Sequence, residues 1–140
     1  MTLTVVFDTN ILFSATGWRG NPFHSVEHAR DGKVMAFTCP ELMQELAEKL
    51  ESKLKFSPEQ TTDTLADYLS FLHVVTIPKT LNAVPRDPED NAVLECALEA
   101  RATHIVTGDD DLLSLKEFRG IQIVRATEFL EIINEQETSD

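Results

Sequence analysis

Residues Asp87 to Leu113 read DPEDNAVLECALEARATHIVTGDDDLL, a helix signal, a strand signal and an acidic turn in direct succession. Asp87 stands where an N-cap belongs, Pro88 suits the first helical position because its φ is preset and it has no amide to leave unbonded, and Asp90 falls in the first turn. Ala92, Val93, Cys96, Ala97 and Ala100 recur at three- and four-residue intervals and give the helix an apolar face. His104-Ile105-Val106 then begins a β-branched run that predicts a strand. Gly108 permits a tight turn, and Asp109, Asp110 and Asp111 leave the strand's carboxyl end before Leu112-Leu113 return to the core. In open α/β sheets ligands bind in the crevice beyond the carboxyl ends of the strands, so these acids fall where chemistry is usually done.

Toward the N-terminus, Thr4-Val5-Val6-Phe7 reads as a buried strand ending at Asp8-Thr9-Asn10. Asp8 either caps the helix begun by Ile11-Leu12-Phe13 or adds another acid at a strand end. Ser14 to Asn21 reads as a loop, in which Trp18 and Arg19 either contact a base or a partner or, for Trp18, anchor over the core. Asn21-Pro22 restarts a helix with Phe23, Val26 and Ala29 on one face, ending near Gly32. His24 and His28 lie one turn apart, but no Glu or Cys completes a zinc set, and they read as solvated helix residues.

Val34 to Phe37 makes a second strand, and Pro40 opens a helix with Leu42, Met43, Leu46, Ala47, Leu50 and Leu54 as its apolar stripe. Glu45 lies off that stripe, roughly 7 Å above the helix start at 1.5 Å per residue, where a carboxylate can lean back over the sheet edge. Lys49 follows Glu45 by one turn; Lys49, Lys53 and Lys55 either pair with neighbouring acids or sit near a phosphate backbone. Ser57-Pro58-Glu59-Gln60 is a capping box that leads a helix with Leu65, Leu69 and Leu72 inward. His73 to Ile77 is the third strand, Pro78 to Arg86 a surface loop, and Ile121 to Val124 the fifth strand, after which Thr127 caps a helix with Phe129, Leu130 and Ile133 inward.

Strands alternating with helices imply an α/β fold: one five-stranded parallel sheet with helices on both faces, a single domain over residues 1–134 and a polar tail over 135–140. A length of 140 residues suits one domain with a real core. The net charge of −12 argues against a broad basic surface for nucleic acid, yet bound divalent cations can reverse the field within a local pocket. Cys39 and Cys96 have no metal-ligand spacing and read as small buried apolar residues. With no signal-peptide pattern and no long apolar run, a cytoplasmic protein without a membrane span is expected.

If Asp8, Glu45, Asp90 and Asp109 converge, their mutual repulsion, roughly 4 kcal/mol for a pair 4 Å apart at an effective dielectric of 20, calls for a cation or shared protons. Oxygen-only donors suit Mg²⁺ or Mn²⁺ better than zinc, and Mg²⁺ favours sites that combine carboxylates with a substrate phosphate. Hydrolysis of a phosphodiester is the reaction such a site serves.

The order VVFDTN, then ELMQEL, then DPEDN, then IVTGDDDLL resembles the PIN-domain family, in particular its small toxin-like members of the VapC type, over nearly the whole chain. That resemblance implies a metal-dependent endoribonuclease, commonly the toxin of a toxin–antitoxin pair, with Mg²⁺ or Mn²⁺ as cofactor, RNA as substrate and an antitoxin as partner. A homodimer is likewise an expectation from the resemblance. It further implies that Asp8, Glu45, Asp90 and Asp109 form the acidic quartet, that Asn10 and Thr107 support it by hydrogen bonds, and that Asp111 stands behind the ligands or replaces one. Asp87 is already explained as a cap, and Asp110 stands where relatives often carry a basic residue. A phosphatase of the haloacid dehalogenase type would need an acid at Asn10, and a receiver domain would need an aspartate after the third strand and a lysine after the fifth, where Ile77-Pro78 and Val124-Arg125 stand. The surviving alternative is a non-catalytic PIN-like module that binds a partner protein.

Overall fold

The computed structural model describes residues 2–83 and 88–138. The expected cap Asp87 lies outside the described residues. The sheet has the order β3-β2-β1-β4-β6-β5, built from β1 (Leu3–Phe7), β2 (Val34–Thr38), β3 (Leu72–Val74), β4 (His104–Val106), β5 (Glu117–Phe118) and β6 (Ile121–Val124). All pairings are parallel except β5 with β6. The five expected parallel strands are present, and β5 is an added antiparallel edge of two residues. It forms because Arg119 and Gly120 both hold positive φ, 50° and 86°, as a two-residue hairpin turn of the primed kind requires.

The helices are α1 (Thr9–Gly17), α2 (Asn21–Arg30), α3 (Pro40–Lys53), α4 (Pro58–Leu69), α5 (Pro88–Ala100), α6 (Asp110–Leu113) and α7 (Ala126–Thr138). Alternation along the strands sends Val5 and Phe7 to one face and Val6 to the other. The first face packs on α1, α2, α3 and α7, with Phe7 and Phe129 edge-to-face at 6.0 Å. The second face packs mainly on α5 and α6 through Val93, Leu94, Ala97 and Leu112. Cys39 and Cys96 are free and buried in that second core, where contact with Cys39 and burial push the Cys96 thiol up.

Four local expectations shift. The segment from Ser14 to Gly17 is helix rather than loop, because Ala15 is buried and the Thr16 hydroxyl donates to Leu12 O at 2.8 Å. On α4 Leu65 packs on the core as expected, but Leu69 is left exposed and Tyr68 is buried instead, its hydroxyl donating to Leu12 O at 3.0 Å. The third strand is only Leu72–Val74. Finally, α7 begins at Ala126 and continues to Thr138, so Thr127 lies inside the helix and residues 135–138 belong to it.

Candidate metal centre at the switch point of the sheet

From β1 the chain crosses to β2 on one side, while β4 pairs with β1 on the other, so the order reverses at the β1–β4 seam. Phe7 is level with Val106, and the Asp8 amide donates to Val106 O at 2.9 Å. That register sets Asp8 and Thr107 side by side at the carboxyl edge. Asp8 caps α1 and lines the seam: its Oδ1 accepts from the Thr9 amide at 2.7 Å, and its Oδ2 accepts from Thr107 Oγ1 at 2.7 Å and from Asn10 Nδ2 at 3.1 Å. Burial lifts the Asp8 carboxyl above its ordinary pKa; the Thr107 and Thr9 bonds oppose this, the Asp109 charge adds to it, and the Lys49 charge opposes it.

Asn10 turns its other end to the opposite loop, where its Oδ1 accepts from the Gly108 amide at 3.2 Å. Thr107 Oγ1 accepts from the Asp109 amide at 3.0 Å, and Asp109 Oδ2 in turn caps α6 by accepting from the Leu112 amide at 3.1 Å. One hydrogen-bonded chain therefore runs from Asn10 through Asp8 and Thr107 to Asp109.

Across the seam, one carboxylate oxygen from each of Asp90, Asp109 and Asp111 lies within 4.8 Å of the other two. Asp90 comes from the first turn of α5, Asp109 from the cap of α6 and Asp111 from the first turn of α6. At that separation each pair of charges repels by roughly 3.5 kcal/mol at an effective dielectric of 20, somewhat less for the exposed Asp111. Mg²⁺ bonds oxygen at about 2.1 Å, so ligands on opposite sides of one ion are roughly 4.2 Å apart, and three oxygens within 4.8 Å fit that size. The donor set is all oxygen, which suits Mg²⁺ or Mn²⁺.

Glu45 and Asp110 stand elsewhere. Glu45 is ion-paired with Lys49 at 3.0 Å, and neither Glu45 nor Asp8, both expected as ligands, supplies one of the three gathered oxygens. Burial works against the Lys49 charge, but the bond to Glu45 and the fields of Glu45, Glu89 and Asp8 raise its pKa. Asp110 turns outward to Arg125, 3.6 Å away. Beside Glu45 a groove of about 590 Å³ opens between α3, α5 and the segment after β3, lined by Glu41, Glu48, Glu89 and Lys79 among others.

Glu95 was missed by the sequence reading. It is buried on α5, and its two oxygens accept from the Lys79 and Leu81 amides, each at 2.7 Å, so it clamps the wall of that groove. The available signal was a carboxylate between buried neighbours in the run Val93-Leu94-Glu95-Cys96-Ala97, since an unpaired acid is hardly ever fully buried.

A sequence profile of the PIN domain matches residues 4–111. The chain belongs to the PIN-domain family. This PIN-domain protein is 32% identical over 119 residues to the uncharacterised protein MJ1680 of Methanocaldococcus jannaschii, an alignment covering 82% of this chain and 76% of that protein. Its fold is similar to that of PAE2754 from Pyrobaculum aerophilum, with TM-score 0.64, 18% identity and coverage of 96% and 91% of the two chains. It is also similar to a chain of VapBC2 from Rickettsia felis, solved bound to a DNA fragment from its promoter, with TM-score 0.62, 17% identity and coverage of 88% and 98%. At such identities the solved structures speak to the PIN fold alone. No helix among the described residues is long and apolar enough to cross a membrane.

Proposed function

We propose that this PIN-domain protein is an endoribonuclease that hydrolyses RNA phosphodiester bonds with Mg²⁺ or Mn²⁺, and that it is a cytoplasmic toxin held by a cognate antitoxin. The observation that supports this best is the gathering of Asp90, Asp109 and Asp111 beside the hydrogen-bonded Asp8 at the switch point of the sheet. Asp90, Asp109 and Asp111 would hold the ion, which when bound activates water and neutralises a scissile phosphate. Thr107 and Asn10 keep the Asp8 oxygens aimed along the seam. Glu45 completes the expected quartet only when Lys49 releases it, and an incoming phosphate is the natural partner to draw that ammonium away. The antitoxin rests on the family and on the VapBC2 likeness, and a homodimer on the family alone.

One observation favours a second reading. The Lys49 ammonium already balances Glu45 and lies in the field of Asp8, as suits a non-catalytic PIN module that binds a partner protein. Incubating the purified chain with defined RNAs, with Mn²⁺ or with EDTA, separates the two. Mn²⁺-dependent cleavage, lowered at least a hundredfold by Asp109→Asn with the fold intact, is expected; cleavage that survives both EDTA and Asp109→Asn overturns the metal-dependent nuclease.

A further inference from the structure

We infer that Phe13, Trp18, Arg19, Phe23 and Lys53 form a track for the single-stranded RNA that flanks the scissile bond, an inference that rests on the ribonuclease reading above. Trp18, the sole tryptophan of the chain, is 59% exposed, far more than a core anchor would be. It stands at the end of α1 with its ring 6.1 Å from that of Phe13. The Lys53 ammonium lies 6.0 Å from the Phe13 ring centroid, and the Arg19 guanidinium stands 4.4 Å over Phe23. Arg30, Lys33, Lys49, Lys79 and Arg125 are each paired with a carboxylate. Among the described residues no carboxylate pairs with Arg19 or Lys53, nor with Lys55, Arg101, Lys116 or Arg119, but Arg19 and Lys53 are the ones that meet rings beside Trp18.

The patch is continuous with the candidate metal centre. Glu45, Lys49 and Lys53 recur every fourth residue along one face of α3, so the Lys49 that feels Asp8 is one turn from the Lys53 that meets Phe13. Helix α1 is capped by Asp8 and ends at Gly17, where a Cβ would lie 3.6 Å from Leu54. The two helices thus lead together from the acids to the exposed indole, about 15 Å at 1.5 Å per residue, a span of a few nucleotides.

Aromatic faces accept any base by stacking, and unpaired cations beside them meet the phosphates between bases. In a chain of net charge −12, RNA has to be held by local clusters of this kind. An exposed indole beside two half-buried rings that carry cations matches the bases and phosphates of a strand.

The single indole makes the test direct. The full chain carrying Asp109→Asn, so that RNA stays uncut, is titrated with a labelled oligouridine, and binding is followed by the label's anisotropy and by Trp18 emission. Quenching of Trp18 with the same midpoint as the anisotropy is expected. Adding Trp18→Ala should weaken binding roughly tenfold, and Trp18→Phe should recover most of it. Lys53→Gln should lower the slope of log affinity against log salt by about one unit. Oligouridine that binds with Trp18 emission unmoved and at unchanged affinity in Trp18→Ala overturns the track and leaves the ribonuclease standing. Emission that follows protein concentration instead of RNA makes the patch an interface between copies, which also overturns it. No binding, with no cleavage by the wild type, sinks both readings.

Discussion

Thr107 is the joint of the candidate centre, since its one hydroxyl donates to Asp8 and accepts from the Asp109 amide. Valine has the same shape and no hydroxyl. Thr107→Val therefore leaves a buried carboxylate oxygen short of a donor, at a cost of about 1–3 kcal/mol, and frees the amide that sets Asp109. A lower melting temperature together with weaker Mn²⁺ binding by calorimetry is expected, with both recovered by Thr107→Ser. Unchanged melting and Mn²⁺ binding in Thr107→Val would remove the residue from the site. At this scale composition and periodicity display the acids, whereas Asn10 and Thr107 as their supports came from the family resemblance. Asp8 is legible at the end of a β-branched run, yet the shorter of the two bonds to its Oδ2, from Thr107, comes from 99 residues away along the chain.

Among the elements, the segment after β3 keeps one bond to the sheet, from the Val75 amide to Thr38 O at 2.9 Å, and beyond it is held by helices. The β3 ladder is brief, and the chain beyond is taken up by Glu95 of α5 through two amides and by Glu41 of α3 through Lys79 at 3.0 Å. Glu95→Gln presents an NH₂ to one of those amides, so a loss of about 1–3 kcal/mol and faster hydrogen exchange at Lys79 and Leu81 are expected. Exchange at wild-type rates would show that the clamp is idle. Elements with a local chemical signature were legible: the Ser57 capping box forms both of its bonds with Gln60, and Pro40 and Pro58 open their helices. What escaped depends on distant contacts. The last turn of α1 is covered by Tyr68 from α4, and the two residues of β5 are too few to show any alternation.

Over the whole molecule, a charge of −12 makes ordinary salt a competitor for any divalent-cation effect, so ionic strength has to be matched. Under that control, Mn²⁺ at a hundred times its dissociation constant stabilises the native state by about 2.7 kcal/mol, a rise of several degrees in melting temperature. Asp109→Asn should show a smaller rise, and equal rises would put the ion elsewhere. The α/β class was legible from alternating strand and helix signals. The order β3-β2-β1-β4-β6-β5 itself is a matter of long-range pairing that no local periodicity encodes. The borders of this sheet have a further consequence. With two residues in β5 and three in β3, neither rim exposes enough unpaired amides and carbonyls for another molecule to extend it by strand addition. Copies of the protein that associate must do so through helix flanks and loop side chains, and interface specificity will follow side-chain identity instead of backbone pairing.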